Sequence, residues 1–151
     1  MKLIQVITLT LLLIAFQSSS HNTNEQIKKT IATNSAPKAI GPYSQAIQVG
    51  NTLYLAGQIA IVPKTGKMTQ NTIEQQTHQV MKNIDAVLKA AGFSLNDVVQ
   101  SQVYLKNLDH YQAMNKIYAT YFTNSAPVRA VVEVNKLPRN ALIEIMVTAV
   151  K

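Results

Sequence analysis

The sequence predicts an α+β domain in which a mixed β-sheet carries two helices on one of its faces. Three observations carry this. Two stretches, Ile73–Ala91 and Leu108–Phe122, place apolar residues at helical spacing. Five shorter runs rich in Val, Ile, Leu and Tyr read as strands, at Ser44–Val49, Thr52–Ile61, Val98–Leu105, Val128–Val134 and Leu142–Val150. Their order is strand, strand, helix, strand, helix, strand, strand, which suits two helices packed on one side of a single sheet.

A chain of 151 residues with 47% apolar content is about one domain and can supply a core. No internal repeat and no Gly/Ser or Pro tract divides it. Met1–Ser20 differs from the rest: one Lys, an apolar run from Leu3 to Phe16, then small polar residues. That is the order of a secretory signal peptide, and the run is shorter than the about 18 to 20 residues of a membrane span. Export to a periplasm or secretion is the expectation, without stable membrane association once the peptide is removed. An N-terminally anchored form is the alternative. Residues 21–33 read as a flexible lead-in, and 34–151 as the domain.

Gly50-Asn51 supplies a turn between the first two strands, and Pro63–Gly66 a second hairpin turn. Asn71 reads as a helix N-cap with Glu74 three residues on. Ile73, Val80, Met81, Ile84, Val87, Leu88 and Ala91 form that helix's inner stripe, and Gly92 closes it. The second helix presents Tyr111, Met114, Tyr118 and Tyr121. Several strands are apolar on both sides, as in Leu53–Leu55 and Ile143–Met146, where a sheet with one wet face would alternate more cleanly. A homo-oligomer that buries the second face accounts for this.

The formal charge of +7 permits acidic partners, but the lysines are scattered and no basic run exceeds Lys28-Lys29. With no Cys, disulfides, thiolate metal sites and a Cys nucleophile are excluded. His21, His78 and His110 have no metal-ligand spacing, and His78 and His110 read as solvated surface. No phosphate loop, H-E-x-x-H or G-x-S-x-G motif is present.

Two charged residues stand inside strands with apolar neighbours. Arg129 is one of two arginines against twelve lysines, and its planar fork suits a carboxylate. An edge-strand residue with its head in water is the plainer reading. Glu144 lies between Leu142, Ile143, Ile145 and Met146, where a carboxylate must be paired, hydrogen-bonded or raised in pKa. A hairpin of the last two strands would set Arg129 opposite Glu144 as a structural ion pair. The functional alternative uses them separately, Arg129 to grip a substrate carboxylate and Glu144 to hold or activate water.

The stretches IGPYSQA (Ile40–Ala46), LAGQIAI (Leu55–Ile61), APVRAVVEV (Ala126–Val134) and LPRNALIEI (Leu137–Ile145) resemble those of the RidA/YjgF family of imine and enamine deaminases. The resemblance runs from about Thr30 to Lys151. It implies a chorismate-mutase-like α+β fold, a homotrimer with clefts between subunits, and hydrolysis of 2-imino acids to 2-keto acids and ammonia without metal or organic cofactor. By the same resemblance, Arg129 binds the substrate carboxylate, Glu144 positions water, and Tyr43 belongs to the pocket. Gly57 and Val131 offer backbone N–H groups, while Tyr111 and Asn115 border the cleft. Ala56 departs from the pattern, standing where many members have a serine. The competing expectation is a non-catalytic trimer on the same fold that binds small carboxylates or acts as a chaperone or RNA-interacting protein. The absence of an arginine patch or aromatic-rich strands speaks against nucleic acid.

Overall fold

The computed structural model describes residues 27–69 and 72–151. The signal-peptide stretch Met1–Ser20 and the Asn71 cap lie outside the described residues. Six strands form one sheet: β1 (Lys28–Ile31), β2 (Ala46–Val49), β3 (Thr52–Leu55), β4 (Val98–Leu105), β5 (Val128–Glu133) and β6 (Ile143–Val150). Two helices, α1 (Ile73–Ala90) and α2 (Tyr111–Ala119), complete the fold. The spatial order is β1-β2-β3-β6-β4-β5, antiparallel throughout except for the parallel β4–β5 pair. This is the mixed sheet with two helices that the strand order predicted.

Helix α1 follows its sequence pattern closely. Thr72 is the N-cap, its Oγ1 accepting from Gln75 N. At the other end Gly92 takes a φ of +79°, Gly92 N donates to Lys89 O and Phe93 N to Leu88 O, which is a Schellman closure. The stripe Ile73, Val80, Met81, Ile84, Val87 and Leu88 is buried against Leu53, Leu55, Val103, Leu105, Ile143 and Ile145. Alternation along the strands sends the other set of side chains, Tyr54, Gln102, Tyr104, Glu144, Met146 and Val132, to the face without helices. There Tyr54 is 53% and Val132 44% exposed.

The structure corrects four expectations. The described part of the lead-in is not free: Lys28–Ile31 forms the edge strand β1 on β2, and the side-chain amide of Gln45, just before β2, accepts from Thr33 N and donates to Thr33 O and Pro37 O. The predicted Thr52–Ile61 strand stops at Leu55. Beyond it only single bridges form, Gln58 with Ile145 and Ile61 with Met68, because buried Asn83 takes the carbonyls of Ile59 and Ile61. The second helix starts at Tyr111, after a 3₁₀ turn at Leu108–His110, and ends at Ala119. Finally, β5 and β6 are not a hairpin. Strand β4 lies between them, since the Asn135–Leu142 connection carries β6 past it.

Candidate active site

The strand order decides where the two charged strand residues go. Arg129 is level with Ser101 on β4, whereas Glu144 is level with Tyr104. Residues 101 and 104 point to opposite faces. Arg129 and Glu144 therefore lie two strands apart, about 10 Å across the ladder, on opposite faces of the sheet. The expected ion pair does not form. The predicted site residues divide into two groups.

The first group surrounds Arg129 on the helix-covered side. Its Nη2 donates to Asn115 Oδ1 at 2.8 Å and to Tyr111 Oη at 3.3 Å. The guanidinium carbon lies 4.6 Å from the centre of the Tyr118 ring and 5.9 Å from that of Tyr111. Tyr111 and Asn115 are one helical turn apart on α2, with Tyr118 next along the same face. Val131 lies two residues along β5 on the same side. Burial holds the Tyr118 hydroxyl above its ordinary pKa, against smaller lowering effects of Ser101 and Arg129. It stays neutral. Every partner of Arg129 is thus an uncharged oxygen or a ring face, and its Nη1 and Nε have no acceptor among the described residues. The one ion pair among the described residues is Lys89–Asp85. A cation held in place but left unneutralised is a prepared anion site.

The second group surrounds Glu144. Its carboxylate lies so close to Gly57 that a Cβ there would stand 2.0 Å from Oε1. Glycine is required at 57 for this approach. Burial raises the Glu144 carboxyl above the ordinary glutamate range, and no donor among the described residues offsets it. Glu144, Gly57, Ala56 and Tyr43 line one cavity of about 360 Å³. Tyr43 stands at its lip, 51% exposed, its hydroxyl accepting weakly from Ile40 N at 3.4 Å. A half-buried carboxylate raised in pKa, beside a cavity and free of partners, is suited to take a proton from water.

Neither His78 nor His110 borders this cavity, and His78 is not the solvated residue its sequence position suggested. It is half-buried, with Nδ1 2.8 Å from Tyr121 Oη. Among the described residues no group of His, Cys, Asp and Glu is placed to hold a metal ion. Tyr118 was legible in the sequence only as part of a core stripe; its service as the platform under Arg129 required the β5–α2 packing. Of the cavity walls, Ile59 and Ile61 were legible only as part of a strand and of the LAGQIAI stretch, and Pro37 was not singled out.

A family model described as Endoribonuclease L-PSP matches residues 33–151. A RutC family protein of Pyrococcus horikoshii is 54% identical over 125 residues, covering 83% of this chain and 99% of the relative. A mouse protein named 2-iminobutanoate/2-iminopropanoate deaminase is 42% identical over 125 residues, covering 83% and 93% respectively. The crystal structure of the Escherichia coli YjgF gene product matches with a TM-score of 0.79 at 40% identity, covering 82% of this chain and 98% of that one. With the family model matching residues 33–151, and relatives at 40% identity or more covering over four-fifths of the chain and nearly all of their own length, the chain belongs to the YjgF/RidA family.

Proposed function

We propose that the protein hydrolyses 2-imino acids of the 2-iminopropanoate type to 2-keto acids and ammonia, at clefts between the subunits of a homotrimer. The observation that carries this is the division of the site. Arg129 is prepared for a carboxylate and Glu144 for a water, yet one copy holds them on opposite faces. Only a second copy can bring the two halves to one ligand. The apolar residues on the face without helices, with Val128 70% and Tyr54 53% exposed, supply a surface for that contact.

In such a cleft the bidentate guanidinium orients the imine with its carbon toward Glu144. Glu144 takes a proton from water as the oxygen adds to the imine carbon. The proton held by Glu144 passes to the nitrogen to give the carbinolamine, whose hydroxyl proton then goes to the amino nitrogen as the carbon–nitrogen bond breaks, so that the carbonyl forms and ammonia leaves with the 2-keto acid. The similarity to a relative named as such a deaminase supports the same reading.

The test generates 2-iminopropanoate in situ from alanine with an amino-acid oxidase and follows its decay. The protein should accelerate it, and Arg129→Ala should lower kcat/KM on the order of 100- to 1,000-fold. An unchanged decay, under conditions where a known deaminase works, overturns the reading. Binding of a 2-keto acid in calorimetry without any turnover would favour a carboxylate-binding trimer instead.

A further inference from the structure

Two buried hydroxyls near Arg129, Ser101 Oγ and Tyr118 Oη, have no hydrogen-bond partner among the described residues. A second copy cannot supply one, since Ser101 is 0% and Tyr118 4% exposed within a single chain. Ser101 is level with Arg129 across the parallel β4–β5 ladder and shares its side of the sheet. Tyr118 sits on α2 with its ring under the guanidinium and against the Phe122 ring, 4.7 Å between centres. The Ser101 hydroxyl is near enough to lower the pKa of the phenol, yet the two do not close a hydrogen bond. No other buried side-chain oxygen or nitrogen among the described residues is left in this state. Burying a hydroxyl without a partner costs free energy, and two such groups beside one cation call for a cause.

Resting on the reading of Arg129 as the holder of a substrate carboxylate, we infer that Ser101 and Tyr118 are positioning residues whose hydroxyls bond to each other when Arg129 takes up a carboxylate. In the free protein only Nη2 is engaged, with Asn115 Oδ1 and Tyr111 Oη. A bidentate carboxylate aligns the whole fork, and the stacked Tyr118 ring turns with the guanidinium plane. Tyr118 Oη, at the far end of that ring, is the atom this turn moves most. Its closure on Ser101 Oγ satisfies two unpartnered groups at once and so favours the loaded state. The pair then holds the ring, and through it the fork, in the pose that binds.

Calorimetry with pyruvate tests this on the parent protein, Ser101→Ala, Tyr118→Phe and the double variant. Each single variant should bind pyruvate roughly fivefold more weakly, the worth of one net hydrogen bond. The double variant should bind no more weakly than the weaker single, because the two hydroxyls act as one unit. In the imine assay the same factor should appear in KM with kcat unchanged, since bound substrate and transition state both keep the carboxylate on Arg129. Urea midpoints of the ligand-free variants should not fall below the parent's, as each variant loses a hydroxyl that has no partner. Residues serving only the core would give the reverse, a lower midpoint with unchanged pyruvate affinity, and that result overturns the inference. Single losses that multiply in the double variant overturn it too. The expected binding pattern without any imine turnover keeps the pair and sinks the deaminase. Turnover in the parent with an unaltered KM in all three variants sinks the pair and keeps the deaminase. A parent that neither binds pyruvate nor turns over imine sinks both.

Discussion

At the scale of single residues, Glu144 makes the sharpest statement. Burial favours its protonated form, so ionising it in the fold costs more than ionising it in the unfolded chain. Folded and unfolded chains bind protons equally well below the ordinary glutamate range. As pH rises from there through the raised folded pKa, stability falls, and it stays lowered at neutral pH. Glu144→Gln should therefore be more resistant to urea than the parent at pH 7, with the difference vanishing near pH 4. A variant less stable at pH 7 would contradict the desolvation. Activity runs the other way, since the base must be ionised. The acid limb of kcat/KM should lie above the ordinary glutamate range, and Glu144→Gln should have no measurable turnover. At Arg129 the prediction concerns shape rather than charge. Arg129→Lys keeps the cation but loses the planar fork and its stacking on Tyr118, and should retain only a few per cent of kcat/KM.

Secondary-structure elements are held here by side-chain amides where the strand ladder gives out. After β3 ends at Leu55, Asn83 Nδ2 on α1 donates to Ile59 O at 3.1 Å and to Ile61 O at 2.9 Å. Buried Gln76 accepts from Leu142 N at 2.9 Å, just before β6. These bonds fix the two segments that form walls of the Glu144 cavity and deliver Glu144 itself. Asn83→Leu keeps the volume but strands two carbonyls, and should lower unfolding stability by about 2–4 kcal/mol in urea titration. A loss below about 0.5 kcal/mol would mean that water satisfies both carbonyls. The helix pattern of α1 was legible because its period matches its burial almost residue for residue. Strand β1 was not legible: Lys28, Lys29 and Thr30 are exposed, so the sequence offers no apolar alternation to read. Only pairing with β2 makes it a strand.

For the whole molecule the decisive feature is the uncovered face of the sheet. Val132→Asp would place a charge on that face, on the edge strand β5 and level with Tyr104 and Glu144. Analytical ultracentrifugation should show the parent as a trimer and the variant as monomer, with deaminase activity lost although Arg129 and Glu144 are both intact. A monomeric variant that keeps full activity would refute a site built between subunits. Export is a separate proposal, resting on the Lys2, Leu3–Phe16 and Gln17–Ser20 pattern. N-terminal sequencing of the native protein after fractionation should find a chain beginning between Gln17 and Asn24 outside the cytoplasm. A soluble cytosolic chain starting at Met1 would rule it out.

By itself the sequence determined the helices and most of the strands, and singled out the two charged residues set among apolar strand neighbours. Those are local matters: a 3.6-residue period, a turn glycine, a charge set in an apolar run each leave a mark within a dozen positions. Of the Val128–Val134 strand it showed Arg129 among apolar neighbours, and read its head most plainly as lying in water. The tertiary structure reversed that. Because β4 inserts between β5 and β6, Arg129 and Val131 turn toward the helices, while Val128, Ala130 and Val132 face outward. The same insertion removed the Arg129–Glu144 pair that a hairpin would have made. Strand order depends on which distant segments meet, and no local pattern records it. The physical consequence is an arginine left without a counter-ion and a glutamate left without a donor among the described residues.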